Sequence, residues 1–156
     1  MRSKIVAMLV KDVMTKKVIT ATPSTRFTEL VRLLIKKNIS GLPIVNKKGK
    51  VVGVISEKDL FYRLFPSQEE FYKNIEYYTN RNNLEKETRA IVKLKAKDLM
   101  TKDIISIGKN DHILTACSLL LIYEIRRLPV INHGKLVGVV TTNDIYKNFL
   151  LTITKK

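Results

Sequence analysis

The chain has 156 residues, 45% of them hydrophobic and 7% aromatic, a composition that can bury a real core and excludes a disordered polymer. No apolar run approaches a membrane span, and a single cysteine, Cys117, excludes an internal disulfide. Twenty-nine Lys and Arg against 14 Asp and Glu leave a net charge of +15, a field that favours nucleotides, nucleic acid or an acidic protein surface.

The basic residues are spread along the chain, from Lys16-Lys17 through Lys36-Lys37 and Lys47-Lys48 to Arg126-Arg127 and Lys155-Lys156, the pattern of a solvated lysine-rich surface. The N-terminus carries Arg2 and Lys4 but no small-residue cleavage site, so the expected location is the cytoplasm. His112 and His133 stand alone, with no Cys or His at metal spacing. Hence no metal site is expected.

Val18 to Thr22 reads as a short strand closed by Pro23, and Thr25 is placed to cap a helix. That helix carries Phe27, Leu30, Val31, Leu34 and Ile35 at i, i+3, i+4, i+7 and i+8, one buried face. Gly41 to Val45 and Lys50 to Ile55 are two strands joined by the polar turn Asn46-Lys47-Lys48-Gly49. Ser56 then caps a helix from Glu57 to about Phe65, stopped by Pro66. The stretch that follows, to Ala90, is rich in aromatic and polar residues and reads as a continued helix, an irregular turn near Asn80 to Asn83, and a helix containing Leu84, Ile91 and Leu94. Its aromatics (Phe65, Phe71, Tyr72, Tyr77, Tyr78) are expected to pack on the core; stacking on bases is the alternative.

The same order then recurs. Strand Ile104 to Ile107 precedes a helix capped by Asp111, with Ile113, Ala116, Cys117, Leu120 and Leu121 on one face, which makes Cys117 a packing residue. Strands Leu128 to Ile131 and Lys135 to Val140 lead to a helix from Thr142 to about Leu151. The residues themselves repeat. Lys11-Asp12-Val13-Met14-Thr15-Lys16 returns as Lys97-Asp98-Leu99-Met100-Thr101-Lys102, Ile5-Val6 as Ile91-Val92, and Leu42-Pro43-Ile44-Val45-Asn46 as Leu128-Pro129-Val130-Ile131-Asn132. A one-residue deletion in the turn after Asn132 then carries Asp59 onto Asp144. The expected domains are residues 5–65, an insert at 66–90, and residues 91–151. A half of about 50 residues is too small to cover its own sheet, so the expected fold is α+β, two β-α-β-β-α copies packed sheet to sheet about a pseudo-twofold axis.

The most informative stretch occurs twice: Gly53-Val54-Ile55-Ser56-Glu57-Lys58-Asp59 and Gly138-Val139-Val140-Thr141-Thr142-Asn143-Asp144. Each puts a hydroxyl where a strand ends and a carboxylate three residues on, where a helix begins. Two readings stand side by side. Ser/Thr-x-x-Asp is a variant of the capping box, which satisfies first-turn amides without a ligand. Equally, free amides at a helix start suit a phosphate, and an acceptor-only Asp suits a sugar diol.

The doubled set, Lys-Asp-Val/Leu-Met-Thr, Leu-Pro-Ile/Val-Val/Ile-Asn and Gly-Val-Ile/Val-Ser/Thr-x-x-Asp, resembles a tandem pair of cystathionine-β-synthase-type (CBS) domains, a Bateman module, from Ile5 to about Leu151. The resemblance implies two clefts for adenosine ligands such as AMP, ADP, ATP or S-adenosylmethionine. It implies that Asp59 and Asp144 accept from ribose hydroxyls, while Ser56 and Thr141, with following amides such as those of Lys58 and Asn143, face phosphate. It also implies an adenine slot lined by Ile19-Thr20 and Ile105-Ser106, and by Ile39 or Ile125. Arg126-Arg127 stands before Leu-Pro in the second copy, where members of the family contact phosphate, whereas the first copy has Ser40-Gly41. Arginine presents a planar fork of donors to phosphate oxygens, so the Asp144 site is expected to favour phosphorylated nucleotides.

No nucleophile, base and orienter can be assembled from these residues, so no enzyme activity, catalytic residue or cofactor is expected. The expectation is a regulatory adenosine-ligand sensor, a homodimer with Phe61-Tyr62-Phe65 and Tyr146-Phe149-Leu150 as apolar seam, acting on a separate target protein. The alternative is a nucleic-acid-binding protein that uses the +15 field.

Overall fold

The computed structural model describes residues 7–154, and at 149, 150 and 153 the backbone alone. Ile5-Val6 and Lys155-Lys156 therefore lie outside the described residues, as do the side chains of Phe149 and Leu150. Both copies follow one plan. A short helix, Val10–Val13 (α1) or Ala96–Leu99, precedes a longer one, Phe27–Lys37 (α2) or Ile113–Ile122, then strands Gly41–Val45 (β1) and Val51–Ser56 (β2) or Arg127–Asn132 and Lys135–Thr141, and a closing helix, Glu57–Leu64 (α3) or Thr142–Ile145. Among the described residues β1 and β2 form a two-stranded sheet, and Ile107–Gly108, Arg127–Asn132 and Lys135–Thr141 a three-stranded one.

The helix Phe27–Lys37 forms because Phe27, Leu30 and Leu34 are buried on one side, while the Glu29 carboxylate accepts the Arg26 N–H at 3.1 Å. It ends at Asn38, whose φ of 50° is a left-handed stop. Arg26, not Thr25, is the cap; the Thr25 hydroxyl instead accepts the Thr22 N–H at 3.0 Å. In the second copy His112 caps through Nδ1, and Asp111 is occupied one turn earlier, accepting the Gly108 N–H at 2.7 Å.

Several expected elements are shorter than the sequence suggests. Val18 to Thr22 contributes a single parallel bridge, Ala21 to Ile44, and the Ile104 to Ile107 strand is displaced to Ile107–Gly108, with Ile107 opposite Val130. The helix from Thr142 is interrupted by a π turn at Tyr146–Leu150 before resuming at Leu151–Thr154. The Asn148 side-chain amide donates to the Asp144 carbonyl at 2.8 Å, the acceptor that the Asn148 backbone N–H would take in a regular helix. The insert is three helices, Gln68–Lys73, Ile75–Thr79 and Arg81–Ile91, because Ser67 and Asn80 each cap a new start. Its aromatics pack on one another, Phe71 stacked with Tyr78 at 6.1 Å and Tyr77 edge-on to Tyr78 at 5.3 Å between ring centroids. Tyr72 and Tyr77 stay exposed rather than joining the core. Cys117 is half-buried, and that burial pushes its thiol pKa up.

The compact units do not follow the order of the copies. One unit runs up to Ile19, takes in Gly49–Val51 and resumes at Ile104; the other comprises Thr20–Lys48 and Val52–Asp103. Each copy's Lys-Asp-x-Met-Thr segment is thus built into the unit holding the other copy's helices and strands. Thr15 exchanges backbone hydrogen bonds with Val139 at 2.9 and 3.0 Å, and Thr101 does the same with Val54 at 3.0 Å in both directions. Val10 donates to Asp111 at 2.9 Å, matched by Ala96 to Thr25 at 2.8 Å. Val10 and Val13 join Ile107, Ile113, Leu120, Leu128, Val130 and Val140 in one core, where burying each valine contributes about 1.5–3 kcal/mol.

The exchange explains the glycine of each Gly-Val repeat. A Cβ on Gly53 would stand 2.5 Å from Met100 Sδ, and one on Gly138 would stand 2.5 Å from Met14 Sδ and 3.2 Å from the Thr15 carbonyl. Gly53→Ala or Gly138→Ala should therefore cost about 1–3 kcal/mol in urea unfolding. Gly53→Ala combined with Met100→Ala should cost less than the sum of the single changes; strict additivity would show that the two residues do not share a contact.

Candidate functional site

In each unit the second hairpin strand delivers the chain to a corner. Along Val51–Ser56 the residues Val51, Gly53 and Ile55 point inward, so Ser56 arrives half-buried, with extended φ and ψ of −117° and 165°. Thr141 arrives the same way at −119° and 163°. In both places the next residue turns helical, and the first-turn amides need acceptors.

At each corner the hydroxyl and the carboxylate serve two backbone amides. Asp59 Oδ2 accepts the Ser56 N–H at 2.6 Å and the Ser56 hydroxyl at 2.7 Å, while Ser56 Oγ accepts the Asp59 N–H at 3.4 Å. At the second corner the matching distances are 2.8, 2.7 and 3.2 Å. The Glu57 N–H goes to the Ser40 carbonyl at 2.9 Å and the Thr142 N–H to the Arg126 carbonyl at 3.1 Å. The free amides expected from sequence are thereby reduced, among the described residues, to those of Lys58 and Asn143. Both carboxylates nevertheless remain divided: Oδ2 serves the cap and Oδ1 accepts nothing among the described residues.

These bonds also draw in the residues before β1 and its counterpart. Ile39 and Ile125 follow left-handed helix stops at Asn38 and Glu124, and their N–H groups return to Leu34 and Leu120 at 3.1 and 3.0 Å. Arg127 lies directly across the strand pair from Thr141, so the two side chains share a face; Arg127 is half-buried, its Nη1 shielded from solvent, and Arg126 is exposed. One unit therefore gathers Thr141, Asn143, Asp144, Ile125, Arg126 and Arg127, and the other gathers Ser56, Lys58, Asp59 and Ile39. Ile19 and Thr20, both half-buried, precede the Ala21 bridge. Ile105 packs on the core of its unit, and exposed Ser106 precedes Ile107–Gly108. Sequence reasoning missed the backbone carbonyls of Ser40 and Arg126 as corner-forming groups, since a carbonyl leaves no trace in residue type. Among the described residues no group of three or more His, Cys, Asp or Glu side chains is placed to hold a metal, and no helix is long and apolar enough to cross a membrane.

Two copies of one helix-strand-strand-helix plan, each with a hydroxyl-and-carboxylate corner before its closing helix, define a duplicated α+β module. A family model for the CBS domain matches residues 10–65 and 96–151, and the chain belongs to that family. It is 32% identical over 150 residues to the uncharacterized protein MJ1426 of Methanocaldococcus jannaschii, covering 88% of this chain and 89% of that protein. The CBS domain pair of protein MJ0100, solved in complex with 5′-methylthioadenosine and S-adenosyl-L-methionine, is similar with a TM-score of 0.70 and 26% identity, over 94% of this chain and 98% of that one. CBSX2, a CBS-pair protein of Arabidopsis thaliana, solved in complex with AMP, gives 0.72 and 29% over 93% and 98%. Several other curated relatives are much longer: the match covers 22% of an inosine-5′-monophosphate dehydrogenase and 56% of chloroplastic CBSX2.

Removing the cap hydroxyl separates the two roles of the corner. Ser56→Ala and Thr141→Ala should each lower unfolding stability by about 1 kcal/mol in denaturant titrations. A loss below about 0.3 kcal/mol at either site would show that the corner does not depend on the hydroxyl.

Proposed function

We propose that the protein is a regulatory module, located in the cytoplasm, that binds an adenosine-containing ligand at its two corners and transmits occupancy to a separate target protein without catalysing a reaction. The observation that carries this reading is the divided carboxylate: Asp59 and Asp144 are each held through Oδ2, while Oδ1, which accepts no hydrogen bond among the described residues, is left as an acceptor suited to a ribose diol. The ligands of the similar structures, AMP in one and 5′-methylthioadenosine with S-adenosylmethionine in the other, share that diol and support the assignment. The adenine slot is assigned to Ile19-Thr20 and Ile39, and to Ile105-Ser106 and Ile125. Ligand contacts present in one arrangement of the module and absent in another shift the population that a partner reads.

Homodimerisation is part of the proposal. Phe61, Tyr62 and Phe65 are exposed on one helix, with Phe61 and Phe65 rings stacked at 5.0 Å, and Tyr146 is exposed on the corresponding helix of the second copy. A second reading, nucleic-acid binding, is favoured by the +15 charge alone. It predicts DNA or RNA affinity that falls steeply with salt; no binding at low salt eliminates it.

A thermal-shift panel of AMP, ADP, ATP, S-adenosylmethionine and guanine nucleotides tests the main proposal. Ligand at about 100 times its Kd adds roughly 2.7 kcal/mol, a rise of several degrees for a chain of this size. Asp144→Ala should abolish most of the shift given by phosphorylated nucleotides; a larger loss from Asp59→Ala would reverse the ranking of the corners. No shift from any adenosine ligand would defeat the proposal.

A further inference from the structure

Asp144 offers three acceptors, and each has a different use. Its Oδ2 holds Thr141, its Oδ1 is the oxygen assigned to the ligand, and its backbone carbonyl accepts the Asn148 side-chain amide at 2.8 Å. A second bond of the same kind follows one turn on, where the Thr152 hydroxyl donates to the Asn148 carbonyl at 2.6 Å. Side chains thus reach carbonyls that the backbone N–H groups of the same residues take in a regular helix, and the π turn Tyr146–Leu150 lies between Asp144 and Thr152. The first copy is built differently. Arg63 stands in the place of Asn148, the helix Glu57–Leu64 is regular, and the Phe65 N–H donates to the Phe61 carbonyl at 2.9 Å with the ordinary spacing of four. Phe61 and Phe65 correspond to Tyr146 and Leu150, so the same two positions stand in α register in one copy and in π register in the other.

We propose that Asn148 is a positioning residue that couples the Asp144 corner to the far end of its helix, ligand at the corner favouring the π register over the regular α register. The inference rests on the reading of that corner as a nucleoside site. A ligand bonded to Oδ1 restrains the residue whose carbonyl Asn148 holds, and so favours the register in which that bond exists. In the α register the Asn148 backbone N–H takes the Asp144 carbonyl and the side chain is released. One hydrogen bond replaces another of the same kind, which keeps the two registers close in free energy. A slip of one residue turns the chain beyond it by about 100° around the helix axis. Leu151 is exposed on that stretch, so a partner meets a different surface in each register. The closing helix of the second copy is then the element through which occupancy is read.

Hydrogen exchange of residues 146–154, with and without saturating AMP, tests the coupling in the wild-type protein, Asn148→Ala and Asn148→Thr. Threonine keeps a side-chain donor that reaches four residues back in a helix. AMP should slow exchange of this segment by about threefold or more in the wild type, the size expected of one hydrogen bond. Asn148→Ala should remove the slowing and, because coupling is reciprocal, weaken AMP by a similar factor in calorimetric titration; Asn148→Thr should restore both. Asn148 is exposed, so both variants are expected to fold, and their thermal midpoints without ligand check this. Equal slowing in Asn148→Ala, an unaltered AMP affinity, or no recovery with threonine overturns the inference while leaving the corner as a nucleoside site. AMP that binds the wild type without slowing this segment does the same. Failure of AMP to bind the wild type removes the parent reading as well.

Discussion

The structure turns on two carboxylates that each divide their work. Asp59 and Asp144 commit Oδ2 to the backbone N–H and hydroxyl of the residue that ends the preceding strand, at 2.6–2.8 Å. That commitment fixes the rotamer and starts the helix, so the remaining oxygen is held at a defined place before any ligand arrives. Capping and ligand binding are therefore compatible roles of one side chain. An acceptor immobilised in this way costs little ordering entropy when it binds.

The corners are held in turn by the segment exchange. Thr15 and Thr101 each add a pair of backbone hydrogen bonds to the strand that leads into a corner, and Met14 and Met100 pack over the glycine of that strand. The Lys-Asp-x-Met-Thr motif and the Gly-Val-Ile/Val-Ser/Thr motif are two sides of one contact. From its aspartate onward the first motif has a local role at every residue. Asp12 and Asp98 accept the N–H of Leu9 and Lys95 at 2.9 Å, Val13 and Leu99 are buried, the methionine covers glycine, and the threonine pairs.

Much of this was legible in the sequence because it is local or repeated. Helix Phe27–Lys37 announced itself through Phe27, Leu30 and Leu34, the hairpins through Gly49 and Gly134, and both corners through Ser/Thr-x-x-Asp. What escaped was what depends on distant partners. Nothing in Val18 to Thr22 reveals that only Ala21 finds a bridge, and no periodicity shows that Met14 belongs with Gly138 rather than with its own copy. The break after Ile145 was hidden for another reason: Asn148 is an ordinary residue on an exposed helical face until its side chain takes the Asp144 carbonyl. The difference in charge between the corners could be read only in part. Arg126-Arg127 stood out at once, whereas no residue type shows that the Glu57 N–H is tied to the Ser40 carbonyl.

The proposed function requires the sugar diol above all. Calorimetric titration with AMP and with its 2′,3′-dideoxy analogue tests that requirement most directly: both keep the base and the phosphate, and only one can donate to Asp144 Oδ1. Loss of hydrogen bonds to a charged acceptor should weaken the analogue by about tenfold or more. Equal affinities for the two compounds would contradict the account.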